Sequence, residues 1–518
     1  MGFFKRLFHQ RRGIFWPADF FIPVLLILLL AGCGSGDYPE ITVIHTNDLH
    51  GHILPARVEG WSDRTGGYAT FVSWLSGVRE KNRAREIPTL LLDAGDIYMG
   101  TVEGNLTRGG AVIGLMNRAG YDAMGVGNHE FDYGYFNLYQ LAREADFPFL
   151  SANILLPGAD ESPDFIHPYL IKEYDGLKVG IIGVSTPETS VITAAGNVGK
   201  IVFHDPADSI RPYGRLLRGE GVDLLVVLSH LGLDGDRALA AAVPDIDLIV
   251  GGHSHDLLSQ PEKAGPRPTL IVQAGSYGRF AGRLDLKVDT GRKRIAGHHY
   301  SIFINRQYSY PADLETNRLL NEIKNEVGDG FDQTVGIALQ DITSADEEES
   351  PLGDLITDAM RKRVGAAAAF QNPYGIRGNL LQGPITRRDV YTVLPFDNSI
   401  VTLELAGGQI RELLEQSLTF KKGLLQISGL RVEYSLEAPE GNRVRSVEID
   451  GDPLEDSTYY RVATNVFLAG GGDYFSAFAQ GRSRRDSGVL LRDAVADYIS
   501  LNTPLHPGFE PAGRWIRK

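Results

Sequence analysis

The chain has 518 residues, enough for two or three domains, each with its own core. Apolar residues make up 43% and charged residues 22%, an ordinary balance for a soluble globular protein. A net charge of −14 argues against binding polymeric nucleic acid, and the single cysteine excludes a disulfide framework within the chain or a thiolate metal cluster. A small phosphorylated ligand stays compatible with that charge, because bound cations reverse the local potential.

The chain opens with Lys5, Arg6, Arg11 and Arg12, then an almost wholly apolar run at 20–30, then Ala31 and Gly32 before Cys33. Basic, apolar and small residues in that order have the layout of a secretory signal. The apolar run is shorter than the roughly 18 residues a membrane-spanning helix needs. Residues 30–33, LAGC, resemble the bacterial lipobox. That resemblance implies a signal peptide at 1–32, cleavage before Cys33 and lipid on its thiol. The protein is then exported and anchored to a bacterial membrane on its periplasmic or cell-surface side. Arg11-Arg12 faintly resembles a twin-arginine signal, although basic leaders often hold such pairs. Residues 33–40 read as a short tether.

Short apolar runs follow at 41–44, 89–92, 123–126, 179–182, 224–227 and 248–250. Each stops abruptly at Gly, Asp, Asn, Ser or His, and their length and β-branching predict buried strands. Amphipathic stretches at 68–79 and 135–145 lie between some of them, and further strands are expected at 270–274 and 282–288. Alternating strands and helices predict an α/β domain over 41–310 with covered sheets. Residues 313–327 read as a linker helix, within 311–329, whose apolar face carries Leu314, Leu319, Leu320 and Ile323. A smaller mixed α/β domain is expected over 330–518. It has a helix capped by Ser350-Pro351, a second helix at 410–418, and strands at 399–405 and 430–434. The acidic run at 346–349 reads as a solvated loop.

The predicted strand ends carry the chemistry. Asp48 and His50 follow the first strand and Asp96 the second. Asn128, His129 and Asp132 follow the third, His230 ends the fifth, and His253 and His255 follow the sixth. In open α/β sheets such ends converge on one crevice. An Asp-x-His pair or one strand-end histidine is weak alone; five such pieces point together to a metal site. Mixed oxygen and imidazole ligands suit Zn, Mn or Fe better than Ca.

The segments HTNDLHG at 45–51, GD at 95–96, GNHEFDYG at 127–134 and GGHSH at 251–255 resemble the calcineurin-like metallophosphoesterases, and more narrowly the 5′-nucleotidase family. The resemblance runs from about residue 41 to the C-terminus. It implies a metal-binding domain of two packed sheets flanked by helices, then a substrate domain. It implies two divalent ions, one held by Asp48, His50 and His255, the other by Asn128, His230 and His253, with Asp96 bridging. His129 is implied as the catalytic histidine, oriented by Asp132. Three later segments match substrate-binding ones: NPYGIR at 372–377, with Asn372 and Arg377; LPFDN at 394–398, with Phe396 and Asn398; and FLAGGGD at 467–473, with Phe467 and Asp473. The two phenylalanines are implied to sandwich a nucleobase. The family usually has Gly-Gly where Pro373-Tyr374 stands, and arginine where 342–353 has none. These departures bear on which phosphate ester is bound, not on the phosphoesterase chemistry. The implied reaction removes phosphate from nucleoside 5′-phosphates, with UDP-sugars or nucleoside di- and triphosphates as further substrates. The alternatives are a 2′,3′-cyclic nucleotide phosphodiesterase with 3′-nucleotidase activity, a hydrolase of another phosphate ester, and a non-catalytic nucleotide-binding lipoprotein.

If Cys33 carries lipid, Cys33→Ser should accumulate as an uncleaved precursor or an unlipidated product in membrane fractions and intact-mass spectra. Wild-type protein that is wholly soluble with an unmodified N-terminus would exclude the anchor.

Overall fold

The computed structural model describes residues 38–159, 161–194, 196–506 and 511–518. Cys33, the signal segment and most of the tether lie outside the described residues. No helix among those described is long and apolar enough to cross a membrane.

Two sheets pack face to face. The first has seven strands in the order Arg294–Ile304, Phe280–Asp289, Glu40–Thr46, Thr89–Asp93, Ala123–Gly125, Phe149–Leu150 and Ile166–His167. The second has six, in the order Glu262–Ala264, Thr269–Val272, Leu248–Gly251, Leu224–His230, Leu177–Ser185 and Tyr169–Tyr174. The central strands of both pair in parallel, while Phe280–Asp289, Arg294–Ile304, Glu262–Ala264 and Tyr169–Tyr174 run antiparallel to their neighbours.

The apolar runs look continuous in sequence because both faces of each strand are buried. Leu90 and Leu92 face the opposite sheet, and Leu91 faces the helical layer outside. Val226 and Leu228 likewise point inward, while Leu225 and Val227 point outward. Helices Tyr68–Arg83, Gly110–Ala119 and Gly134–Glu144 cover the first sheet, and Pro206–Gly219 and Leu233–Ala242 the second.

The predicted linker helix forms at Leu314–Val327, capped by Asp313, whose carboxylate accepts the Thr316 amide at 2.8 Å. Leu320 and Ile323 are buried against the first helical layer and Leu319 packs beside them. Leu314 does not join that face: it is 83% exposed. It occupies the first helical position, where the chain is still turning in, so its place on the apolar arc leaves it with no layer to cover. The helix packs on Tyr68–Arg83 rather than standing free between two bodies.

Beyond it, a five-stranded sheet runs in the order Gln426–Ser428, Ala368–Gln371, Tyr459–Asn465, Ser399–Ala406 and Arg482–Leu490. Pro351–Val364, Gly407–Ser417 and Leu491–Asn502 are its principal helices. Ser350 caps the first of these through its hydroxyl, which accepts the Gly353 amide at 3.1 Å, with Pro351 in the first turn. The architecture is therefore mixed α/β in two parts, with two packed sheets flanked by helices ahead of a smaller mixed α/β part.

Gly183, on Leu177–Ser185, faces Phe149–Leu150 of the other large sheet. A Cβ there would stand 2.1 Å from the Leu150 carbonyl oxygen and 2.6 Å from Leu150 Cβ. Gly183→Ala is expected to cost about 1–3 kcal/mol through overpacking. Gly297→Ala, with nothing within 4 Å of the new methyl, should be near neutral. Thermal unfolding of the two variants measures the difference; equal melting temperatures would contradict this packing.

Candidate metal centre

Every predicted ligand sits where a strand gives way to a loop. Asp48 and His50 follow Glu40–Thr46, Asp96 follows Thr89–Asp93, and Asn128 follows Ala123–Gly125. His230 ends Leu224–His230, while His253 and His255 follow Leu248–Gly251. Because the central strands of both sheets run in parallel, these seven residues reach one end of the sandwich.

Holding them there strains the backbone. Asp48, His50, Asp96, His253 and His255 have φ values of 50°, 49°, 59°, 76° and 59°. The left-handed region costs a residue with a Cβ roughly 1–2 kcal/mol, and such strain gathers at functional sites. Glycine supplies the clearance: a Cβ on Gly127 would lie 2.2 Å from Asp96 Oδ1 and 2.8 Å from His230 Cε1.

The donor atoms fall into three overlapping groups: Asp48, His50 and His255; Asp96, His230 and His253; and His50, Asp96 and His129. Within each, the candidate ligand atoms lie within 4.8 Å of one another. His50 Nε2 is 3.0 Å from His255 Nε2, and His230 Nε2 is 3.0 Å from Asp96 Oδ2. His255 Nε2 is 3.4 Å from Asp48 Oδ1, and His50 Nε2 is 3.9 Å from Asp96 Oδ2. Asp96 thus belongs to both sides of the cluster.

The donor set fits metal binding. His50 Nδ1 donates to the Met99 carbonyl at 2.8 Å and His230 Nδ1 to the Ala94 carbonyl at 2.7 Å. A carbonyl can only accept, so these bonds leave Nε2 of both rings facing the cluster. At His230, against burial, the Asp96 and Asp48 carboxylates push the pKa up to about 10, so a bound ion would displace the Nε2 proton. Asn128 Oδ1 is buried with no hydrogen-bond partner among the described residues. Burial, with Arg377 and His255 nearby, keeps the His50 imidazole neutral well below the usual histidine range. Burial works against ionising Asp96, yet His230 and His129 hold its carboxyl well below the usual carboxylate range.

His129 borders this cluster. Its Nδ1 is 2.5 Å from Asp132 Oδ2, its backbone amide donates to Asp96 Oδ1 at 2.8 Å, and its Nε2 is 4.0 Å from Asp96 Oδ2. Burial alone would lower its pKa; the Asp132 and Asp96 carboxylates outweigh burial and raise it. A protonated imidazole beside the cluster can donate a proton to a leaving oxygen.

The C-terminal part meets this edge. Arg377 Nη2 donates to His50 Nε2 at 3.2 Å. Phe396 stacks on the His129 ring, with centroids 5.8 Å apart and planes 25° apart, and packs against the N-terminal core. Phe467 packs instead against the C-terminal core, over Gly472, where a Cβ would come within 2.5 Å of the ring. Asn372 is buried and already engaged: its Nδ2 donates to Asp473 Oδ2 at 2.8 Å and its Oδ1 accepts from Asn465 Nδ2 at 3.0 Å. Here its amide positions Asp473. Asn398 is half-buried, and its carbonyl accepts the Leu491 amide. Of the acidic run, Asp346, Glu347 and Glu348 are exposed, as a solvated loop requires. Glu349 differs: its carboxylate accepts the Arg514 and Trp515 amides, fastening the C-terminal strand.

Two residues had no role assigned from sequence. Glu130 is fully buried inside the GNHEFDYG segment, and its carboxylate accepts the amides of Asp96 and Ile97 at 2.9 Å and of Gly127 at 2.7 Å. One side chain therefore ties the Asp96 turn to the turn that carries Asn128. A glutamate amid ligands, with a glycine-rich turn at 95–96 to hold, was the available signal. Asn105 links the Gly100 amide to the Pro395 carbonyl, and so the loop behind His50 to the Phe396 segment. Glu130→Gln keeps the size but loses acceptor capacity for three amides, so activity or metal affinity should fall about 10–100-fold. Far-UV circular dichroism should stay unchanged. Wild-type turnover in this variant would show that the clamp is dispensable.

Comparison with known proteins agrees with this geometry. Residues 41–257 match the calcineurin-like phosphoesterase family and residues 331–480 the 5′-nucleotidase C-terminal domain. The chain is 32% identical to a snake venom 5′-nucleotidase from Crotalus adamanteus, over 95% of this chain and 92% of that protein. It is 31% identical to the trifunctional nucleotide phosphoesterase YfkN of Bacillus subtilis, over 91% of this chain but only 34% of that longer protein. Among solved structures, a 5′-nucleotidase precursor from Thermus thermophilus superposes with a TM-score of 0.85 at 34% identity, covering 92% of this chain and 99% of that one. With its histidines and carboxylates gathered at the strand ends, the chain belongs to the 5′-nucleotidase family and is a metal-dependent phosphoric ester hydrolase.

Proposed function

We propose that the chain releases phosphate from nucleoside 5′-phosphates, using two divalent ions of the Zn or Mn type. The observation that carries this reading is Arg377: the one arginine of the matched substrate segment reaches the same imidazole, His50, that faces the metal cluster. A planar guanidinium beside a cation-binding cluster suits the oxygens of a phosphate ester.

In this reading Asp48, His50 and His255 hold one ion, Asn128, His230 and His253 the other, and Asp96 both. The ions would polarise the phosphoryl oxygens and lower the pKa of the attacking water. Arg377 binds phosphate or ribose oxygens. His129, oriented by Asp132, gives its proton to the leaving oxygen. Phe396 and Phe467 supply base-stacking faces, and Asn372, Asn398 and Asp473 line the nucleoside side. The names of the relatives, several of them 5′-nucleotidases and one a nucleotide phosphoesterase, support nucleotides over other phosphate esters. The reading includes the division into residues 41–310, 311–329 and 330–518, and export with lipid on Cys33.

Asp96→Asn should lose metal and activity together, and excess chelator should stop turnover until Mn, Zn or Co is returned. Full activity after dialysis against chelator would sink the metal reading. Phe396→Ala and Phe467→Ala should lower kcat/KM for AMP by an amount equivalent to about 1–3 kcal/mol. They should affect a small aryl phosphate less. Equal losses on both substrates would mean that the rings only pack, and a non-nucleotide ester used far better than any nucleotide would overturn the substrate.

A further inference from the structure

Histidine ligands are normally oriented from behind, by a hydrogen bond on the ring nitrogen that does not face the ion. His50 and His230 follow this pattern through Met99 and Ala94. His255 does not: among the described residues its ring makes no hydrogen bond at Nδ1, although its Nε2 faces His50 Nε2 at 3.0 Å. His253 also lacks such a bond; its ring packs on His230 with centroids 5.1 Å apart, as the His255 ring packs on His50 at 5.0 Å.

Beyond His50, what touches the His255 ring is Tyr277. The two rings meet edge to face, with centroids 5.4 Å apart and planes at 77°. The same tyrosine lies 5.6 Å from His50 and 4.4 Å from His52, centroid to centroid. The Arg279 guanidinium sits 4.8 Å from its ring centre. Its backbone is fixed as firmly: the Tyr277 amide donates to the Asp48 carbonyl at 2.8 Å, so ligand loop and ring move as one.

This placement is strained. Tyr277 has φ of 63°, between Gly275 and Gly278 with φ of 64° and 63°. In a left-handed run a bulky aromatic residue is costly where glycine would be free of strain. Retaining the ring at such a position calls for a use of the ring.

We propose that Tyr277 is a positioning residue for the metal site: its ring holds the His255 imidazole in the orientation that serves the Asp48–His50–His255 ion. Packing replaces the missing hydrogen bond, because an edge-to-face pair restrains a ring's rotation as well as its place. The hydroxyl is not required; its hydrogen bond among the described residues is a long one, donated to the Arg377 carbonyl at 3.5 Å. The inference rests on the two-ion reading above.

The test is metal binding by the chelator-stripped full chain, followed by calorimetric titration with Zn²⁺ or Mn²⁺. Wild type and Tyr277→Phe should take up two ions with the same affinities. Tyr277→Gly removes the ring and the backbone strain together. It should bind one ion about 10–100-fold more weakly and leave the other unchanged, with no loss of metal-free melting temperature. His255→Ala should weaken the same ion, and adding Tyr277→Gly to it should weaken that ion no further, since the two act through one interaction. Tyr277→Gly that binds both ions like wild type, or a double variant whose losses add, would overturn the assignment of Tyr277 alone. A wild-type chain that binds no ion would overturn the two-ion reading, and Tyr277's role with it.

Discussion

Asp96 has to satisfy two groups of ligands with one buried carboxylate. It stands 3.0 Å from His230, 3.9 Å from His50 and 4.0 Å from His129, and its other oxygen is engaged by the His129 amide. No helix or strand would choose its backbone conformation, and neither would the four other ligands with positive φ. Strain of roughly 1–2 kcal/mol at each is appreciable beside a net stability of about 5–15 kcal/mol. Cations that bind only the folded arrangement offset that strain by mass action. The sandwich supplies rigidity: parallel central strands in both sheets fix where each loop begins, and Glu130 ties two of the loops together by their amides.

The C-terminal part completes the site rather than merely neighbouring it. Arg377 touches a metal-site imidazole, Asn105 bonds the Pro395 carbonyl, and Phe396 packs on His129. Farther out, Arg388 pairs with the buried Glu103, and Lys422 with Glu188 at 2.6 Å. In the proposed reading, binding of the nonreacting half of a substrate is thereby coupled to the position of His129. Within the C-terminal part, Gln371, Asn372, Asn465 and Asp473 form one buried polar network. Buried amides must be fully partnered, so this network fixes the segment from Phe467 to Asp473 as closely as apolar packing would.

The local signals proved sound where they depended on spacing. Apolar runs became strands, the Ser350 cap starts its helix, and the candidate ligand residues lie at strand ends. They were less informative where a residue's neighbours decide its use. Leu314 has the right periodicity and no surface to cover. Asn372 stands in a substrate-binding motif, yet its amide is occupied by Asp473 and Asn465. Phe396 and Phe467 rest on different layers, one on His129 with the N-terminal core and the other on the C-terminal core, which their motifs do not show.

By itself the sequence determined the α/β class and the strand-end placement of seven candidate ligand residues, while the pairing of His129 with Asp132 is what the family resemblance implies. The class and the placement follow from short-range rules: the length and β-branching of continuous apolar runs, and the residue types at their ends. Only the tertiary structure decided that Asp96 lies between two groups of candidate ligands, that Glu130 clamps their loops, and that the Tyr277 ring lies against His255. These depend on which loops from two sheets meet at one edge, and on rings and carboxylates separated by tens to hundreds of residues. Such contacts are set by packing between elements, which no local pattern encodes.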